Sequence, residues 1–100
     1  MNIRISEFAR NDLVEGYFFY EKRQDGLGEY FLASLYADIE ALRIYGGIHA
    51  KAHKACHRAL SKNFPFAIYY AVEGDDVRVR AVLDCRRNPI WIRRSLRTRS

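Results

Sequence analysis

The stretch from Phe64 to Trp91, FPFAIYYAVEGDDVRVRAVLDCRRNPIW, limits what this chain can fold into more than any other. Two runs rich in β-branched and aromatic residues, Ala67 to Glu73 and Val77 to Asp84, flank Gly74-Asp75. That is the composition of an antiparallel hairpin with glycine at the first turn position. Opposed residues must share a face, so the register can be tested on the sequence. A two-residue loop pairs Glu73 with Asp76, Val72 with Val77, Tyr70 with Val79, Ile68 with Ala81 and Phe66 with Leu83, an apolar face. The other face pairs Ala71 with Arg78, Tyr69 with Arg80 and Ala67 with Val82, and is cationic and aromatic. A three-residue loop would set Val72 opposite Arg78 and mix the two. The expectation is one face in the core and one directed outward, followed by a basic, aromatic segment, Cys85-Arg86-Arg87-Asn88-Pro89-Ile90-Trp91.

One hundred residues suffice for a single domain spanning 1–100 with a real core. Apolar residues make up 49% of the chain and charged residues 29%, a globular balance. No apolar run approaches the ~20 residues of a membrane span, and MNIRISEF has no signal-peptide apolar region, so a cytoplasmic location without membrane contact is expected. Two cysteines without framework spacing suit buried thiols in a reducing compartment. The net charge of +5 is unevenly distributed: residues 1–50 carry 5 Lys/Arg against 8 Asp/Glu, and residues 51–100 carry 12 against 4. A cationic second half favours an anionic partner, nucleic acid or an acidic protein segment.

Along the chain, Asn2 to Ile5 alternates as a short strand. Ser6 is placed to cap a helix running to about Arg23, with Glu7 in its first turn. Its apolar face comprises Phe8, Leu13, Tyr17 and Tyr20, with Val14 and Phe18 beside them. A second helical series, Phe31, Leu32, Leu35, Tyr36, Ile39 and Leu42, ends at Gly46-Gly47. Ile48 to Cys56 has no clear period. His49, His53 and His57 recur every four residues, which on one helix would align three metal ligands. The glycine pair breaks any such helix, so solvated loop histidines are expected, with no metal and no cofactor. His57 to Ser61 reads as a strand, and Ile90 to Arg97 as a short basic helix or tail after Pro89. The fold class is α+β: an N-terminal strand, an antiparallel helical hairpin, then a three-stranded antiparallel meander, β-α-α-β-β-β, with a basic C-terminal helix or tail.

This order of elements resembles the RelE/ParE-type toxins of bacterial toxin–antitoxin modules. The resemblance spans the chain and rests on ISEFARNDL, the helical hairpin ending in Gly46-Gly47 and, above all, HRALSKNFPFAIYYAVEGDDVRVRAVLDCRRNP. It implies a small antiparallel sheet with the hairpin on one face, and a cognate antitoxin as partner. It also implies one of two activities: poisoning of a DNA gyrase-like target, or ribosome-dependent cleavage of mRNA. For cleavage, the basic and aromatic positions of the nuclease members fall here near Leu60, on Ala67, near Cys85 and on Trp91, so several are vacant. The gyrase-like reading is therefore preferred. Its expected target-binding residues are Arg86, Arg87, Trp91, Arg93 and Arg94, with Tyr69, Arg78 and Arg80 as an extension. Were the chain a nuclease, His57, Arg58, Arg80, Arg86 and Arg87 would be expected to converge.

Overall fold

A computed structural model of the chain describes residues 1–53 and 56–99, without the side chains of Ala52 and His53. Strand β1 (Asn2–Ile5) leads into helices α1 (Glu7–Glu21) and α2 (Leu27–Glu40) and a single turn, α3 (Leu42–Tyr45). Strands β2 (Lys51–His53), β3 (Cys56–Leu60), β4 (Phe66–Glu73) and β5 (Asp76–Asp84) follow, then helix α4 (Pro89–Thr98). The sheet order is β1-β5-β4-β3-β2, with β1 parallel to β5 and the other neighbours antiparallel. The expected order of elements is observed, with two additions: the turn α3, at the end of the second helical series, and the edge strand β2, from the stretch that had no readable period.

The caps follow the local sequence. Ser6 Oγ accepts from the Ala9 N–H at 3.1 Å, as expected for the start of α1. Gly26 has φ 87° and no side chain to cap α2. The Glu21 carboxylate takes that role, accepting from Gly26 N at 3.0 Å and Gly28 N at 2.9 Å. The two helices pack closely because α1 presents Gly16 to the Phe31 ring; an added Cβ would lie 2.4 Å from Phe31 Cζ.

Turn geometry and the first half of the hairpin register are as read from the sequence: Glu73 faces Asp76, Val72 faces Val77, Ala71 faces Arg78 and Tyr70 faces Val79. Gly74 takes φ 59°, the positive value both common two-residue hairpin turns require there. Beyond Tyr70 the expected register is corrected. Tyr69 faces Ala81, Ile68 faces Val82, Ala67 faces Leu83 and Phe66 faces Asp84, so Arg80 is an extra residue on β5. The cause is the uninterrupted apolar run Ala81-Val82-Leu83: a bulge at Arg80 restores alternation by sending Val82 to one face and Ala81 and Leu83 to the other.

Both faces of the sheet are therefore covered, which corrects the expectation of one outward face. On the hairpin side Leu13, Phe31, Leu35 and Ile39 pack on Ile68, Tyr70, Val77, Val79 and Val82. Phe31, Phe64, Phe66 and Tyr20 form an aromatic group there, with Phe31 4.9 Å from Phe66 and Tyr20 4.9 Å from Phe64 between ring centroids. On the opposite side Ala67, Tyr69, Ala81 and Leu83 are buried with Leu96 of α4, and Cys85 and Ile92 pack against them.

Asp12 of α1 joins these layers. Its Oδ2 accepts from the Val82 N–H at 3.0 Å, just past the bulge, and its two oxygens accept from Arg99 Nη1 and Nη2 at 2.6 and 2.8 Å. The side chains of Arg99 and Asp12 are only 14% and 7% exposed. Removing the carboxylate would leave a buried N–H and a largely buried guanidinium without their acceptor. Asp12→Ala should therefore lower unfolding free energy by about 3 kcal/mol or more, and Asp12→Asn, which keeps an oxygen for Val82, by less. An unchanged denaturation midpoint for Asp12→Ala would remove Asp12 from this role. Gly16→Ala tests the helix crossing: helix propensity alone would stabilise it by about 1 kcal/mol, whereas overpacking against the caged Phe31 ring should reverse the sign and cost about 1–3 kcal/mol. A rise in the denaturation midpoint would show that the crossing has slack.

Candidate interaction surface

The segment leaving β5 is held by its own side chains. Arg86 Nε and Nη2 donate to Asp84 Oδ1 and Oδ2 at 3.0 and 2.7 Å, and the Arg86 N–H donates to Asp84 Oδ1 at 2.8 Å. The Asn88 side chain accepts from Ile90 N at 2.8 Å and, with Pro89 at the first helical position, starts α4. Arg87 lies with its guanidinium carbon 3.7 Å from the Trp91 ring centroid. Arg93 and Arg94 are exposed on α4.

Arg87 and Trp91 border a cleft of about 290 Å³ between the end of β5, α1 and α4, together with Glu15, Phe19 and Asp84. Arg86 adjoins the cleft through Asp84, which lines it and accepts from Arg86, and its charge opposes the raising of the Tyr20 phenol pKa by burial. Hydrogen bonds from Arg86 hold the Asp84 carboxyl below its usual range, against the opposing effect of burial. Arg86, Arg87 and Trp91 thus form one surface, of which Arg86 is intramolecularly neutralised.

The extension on the sheet is distributed differently. Tyr69, expected to face outward, is 3% exposed beneath α4. Its hydroxyl accepts from Arg58 Nε at 3.2 Å. That hydrogen bond is the main cause of the raised Arg58 pKa. Arg78 is exposed and paired with Glu73 at 3.2 Å. Arg80 is half-buried at the bulge.

The histidines also depart from expectation. His49 Nδ1 is 2.5 Å from the buried Tyr70 hydroxyl, which accepts from Gly47 N at 3.0 Å. His57 Nδ1 donates to the His49 carbonyl at 2.6 Å, and its ring stacks on Tyr70 at 5.1 Å. His49 and His57 are half-buried anchors for the chain after Gly47 rather than solvated loop residues. The His53 side chain lies outside the described residues, as do Lys54 and Ala55. The described residues contain no group of three or more His, Cys, Asp or Glu suited to a metal ion.

The five groups a nuclease would need are not brought together. His57 lies on the hairpin side of the sheet with Tyr70, whereas Arg58 contacts Tyr69 on the α4 side. Arg80 acts on the Cys56 thiol, whose pKa burial raises. Arg86 and Arg87 sit beyond β5 beside α1 and Trp91.

Sequence reasoning overlooked an exposed apolar surface on α1. Phe8, Val14, Phe18 and Phe19 are 52%, 50%, 54% and 44% exposed, where the expected face had placed Phe8, Val14 and Phe18 towards the core. The signal was present in Tyr17-Phe18-Phe19-Tyr20, since four consecutive aromatics on a helix span every direction and cannot all face one core.

Comparison with family models and with curated protein sequences gives no match. Among solved structures, a chain of the chromosomal ParDE TA system from P. aeruginosa aligns with a TM-score of 0.72 over 82% of this chain and 92% of that one, at 15% sequence identity. At that identity the likeness is one of fold, and it is the fold the RelE/ParE resemblance implied. Among the described residues no helix is long and apolar enough to cross a membrane.

The Asp84–Arg86 pair gives a pH prediction. Asp84 has its folded pKa below the unfolded value of about 3.9, so its stabilising contribution is complete above that value and is lost as pH falls through the folded pKa. The stability gap between the parent and Asp84→Asn should be widest near neutrality and narrow below about pH 4, read by urea unfolding across the range. A gap independent of pH would show that the carboxylate's charge contributes nothing.

Proposed function

We propose that this protein is the toxin of a toxin–antitoxin pair, that it acts by binding a gyrase-like target through Arg86, Arg87, Trp91, Arg93 and Arg94, and that a cognate antitoxin neutralises it. The observation carrying the preference for binding over RNA cleavage is the separation of His57 from Arg58, Arg80, Arg86 and Arg87. General acid–base catalysis needs its groups within hydrogen-bond reach of the same reacting atoms, and the one histidine in this set is engaged with Tyr70 and the His49 carbonyl on the hairpin side. The fold shared with a ParDE chain supports the toxin–antitoxin assignment. The exposed apolar residues of α1 beside Lys22 and Arg23 suit an acidic, amphipathic antitoxin segment.

Binding through a surface of this kind concentrates in aromatic and arginine anchors. Trp91→Ala and Arg87→Ala, each checked for folding by circular dichroism, should abolish or weaken growth arrest by about tenfold or more in inducer concentration. Induction of the parent should bring DNA breaks and an SOS response before translation falls. mRNA cut at codons with no early DNA damage would instead establish the ribosome-dependent endonuclease, and full toxicity in both folded variants would displace the effector surface from Arg87 and Trp91. An absence of any effect from folded protein would leave a non-toxic nucleic-acid-binding module with this fold.

A further inference from the structure

We propose that a pocket of four arginines at the β1–β5 edge, independent of the toxin reading and separate from the Arg86–Trp91 surface, is a binding site for a phosphoryl group. Arg4 of β1, Arg78 and Arg80 of β5 and Arg99 after α4 surround a cavity of about 310 Å³ together with Ser6, and no carboxylate lines it. Arg4 and Arg78 are direct partners in the parallel ladder. Like charges placed opposite each other in a sheet repel, and here each is offset by its own carboxylate, Asp76 for Arg4 and Glu73 for Arg78. The bulge then adds Arg80, consistent with the use of bulges to re-aim a side chain at a site.

The charges are only partly compensated. Asp76 engages Arg4 through Nε at 3.1 Å, Glu73 engages Arg78 through Nη1 at 3.2 Å, and Asp12 engages Arg99. Among the described residues Arg80 has no carboxylate partner. Four guanidinium groups against three carboxylates leave one positive charge, matching one phosphodiester or one phosphate monoanion. The three carboxylates hold their arginines by a minority of the available N–H groups, and the remaining donors come from two strands and the end of a helix. Donors arriving from several directions suit the tetrahedral oxygens of a phosphoryl group better than the two coplanar oxygens of a carboxylate.

The test is a ¹⁵N–¹H titration of the full chain with inorganic phosphate at low ionic strength. Saturable shifts are expected at the amides of Ser6, Val79 and Arg80. Arg80→Gln breaks no ion pair of the fold and should weaken phosphate about tenfold or more, the loss of a charged hydrogen bond. Lys22→Gln removes the same charge from α1 and should change it by less than about twofold. Arg4→Gln, with folding confirmed by its urea midpoint, should weaken binding in the same direction as Arg80→Gln. The source of the phosphoryl group is then read by competition. A short single-stranded oligonucleotide that displaces phosphate from these amides, with a salt slope reduced by about one in Arg80→Gln, assigns a nucleic-acid backbone. Saturation by phosphate without such displacement assigns free phosphate or a nucleotide. The proposal is overturned by the absence of saturable shifts at these amides, by equal losses in Arg80→Gln and Lys22→Gln, or by a polyglutamate peptide that occupies the site more tightly than either phosphate source.

Discussion

The buried carboxylate of Asp12 is the interaction on which the arrangement of layers depends. Strand β5 has β1 beside it only through Val79, where Ser6 N donates to the Val79 carbonyl at 3.0 Å and the chain turns into α1. Past that point the exposed edge of β5 needs another partner, and a buried backbone N–H without one costs about 1–3 kcal/mol. Asp12 supplies it for Val82, and in doing so fixes α1 against the strand at the position where the bulge has shifted the register. The same carboxylate holds Arg99, so the far end of α4 is tied to the first helix of the chain. Asp12 lines the cleft of Arg87 and Trp91, whereas Arg99 lines the arginine pocket. One ion pair thus forms the wall between the two candidate binding surfaces.

Around this fixed point the surface chemistry repeats a pattern of arginine over aromatic. Arg23 lies 4.4 Å from the Phe19 ring centroid, Arg87 3.7 Å from Trp91 and Arg99 5.2 Å from Phe8. The first two cover apolar area that α1 and α4 leave outside the core and keep a guanidinium within reach of solvent, whereas Arg99 is enclosed with Asp12. At exposed sites such contacts contribute about 0.5–1 kcal/mol, and the exposed ion pairs Arg4–Asp76 and Arg78–Glu73 belong to a class whose median is about 0–1 kcal/mol. A partner can exchange these contacts for its own at small cost, whereas the Asp12–Arg99 pair and the aromatic group around Phe31 are too enclosed to be exchanged in that way.

Much of the fold was legible because period and punctuation agreed. Ser6 before an apolar series, Gly46-Gly47 after one, and the Glu73-Gly74-Asp75-Asp76 turn each carry a local physical requirement that the tertiary structure met. The misreadings arose where two requirements competed. The sequence register runs through Arg80 although Ala81-Val82-Leu83 has no polar member to define a face, and the bulge observed there changes the partner of every residue beyond it. The second face was read as external because Arg78 and Arg80 lie on it, but Ala67, Ala71 and Ala81 are small, and small residues on a sheet face leave room for a covering helix. Asp12–Arg99 was invisible for another reason: its partners are separated by 87 residues, and no local pattern encodes such a contact.

The candidate site illustrates the same limit in reverse. That His57 and Arg58 address opposite faces follows from adjacency alone, because successive residues of a strand alternate. Any catalytic set drawing on both would need one of them outside regular strand geometry, and β3 is regular through this pair, with His57 opposite Tyr70 and Arg58 opposite Tyr69. What adjacency leaves open is which face each residue takes, and the stacking of His57 on Tyr70 beneath the helical hairpin decides it. The basic residues consequently divide between the sheet face shared with α4, the edge pocket and the segment beyond β5. Such a division presents separate anchoring points, and among the described residues His57 is held apart from them by its place beneath the helical hairpin.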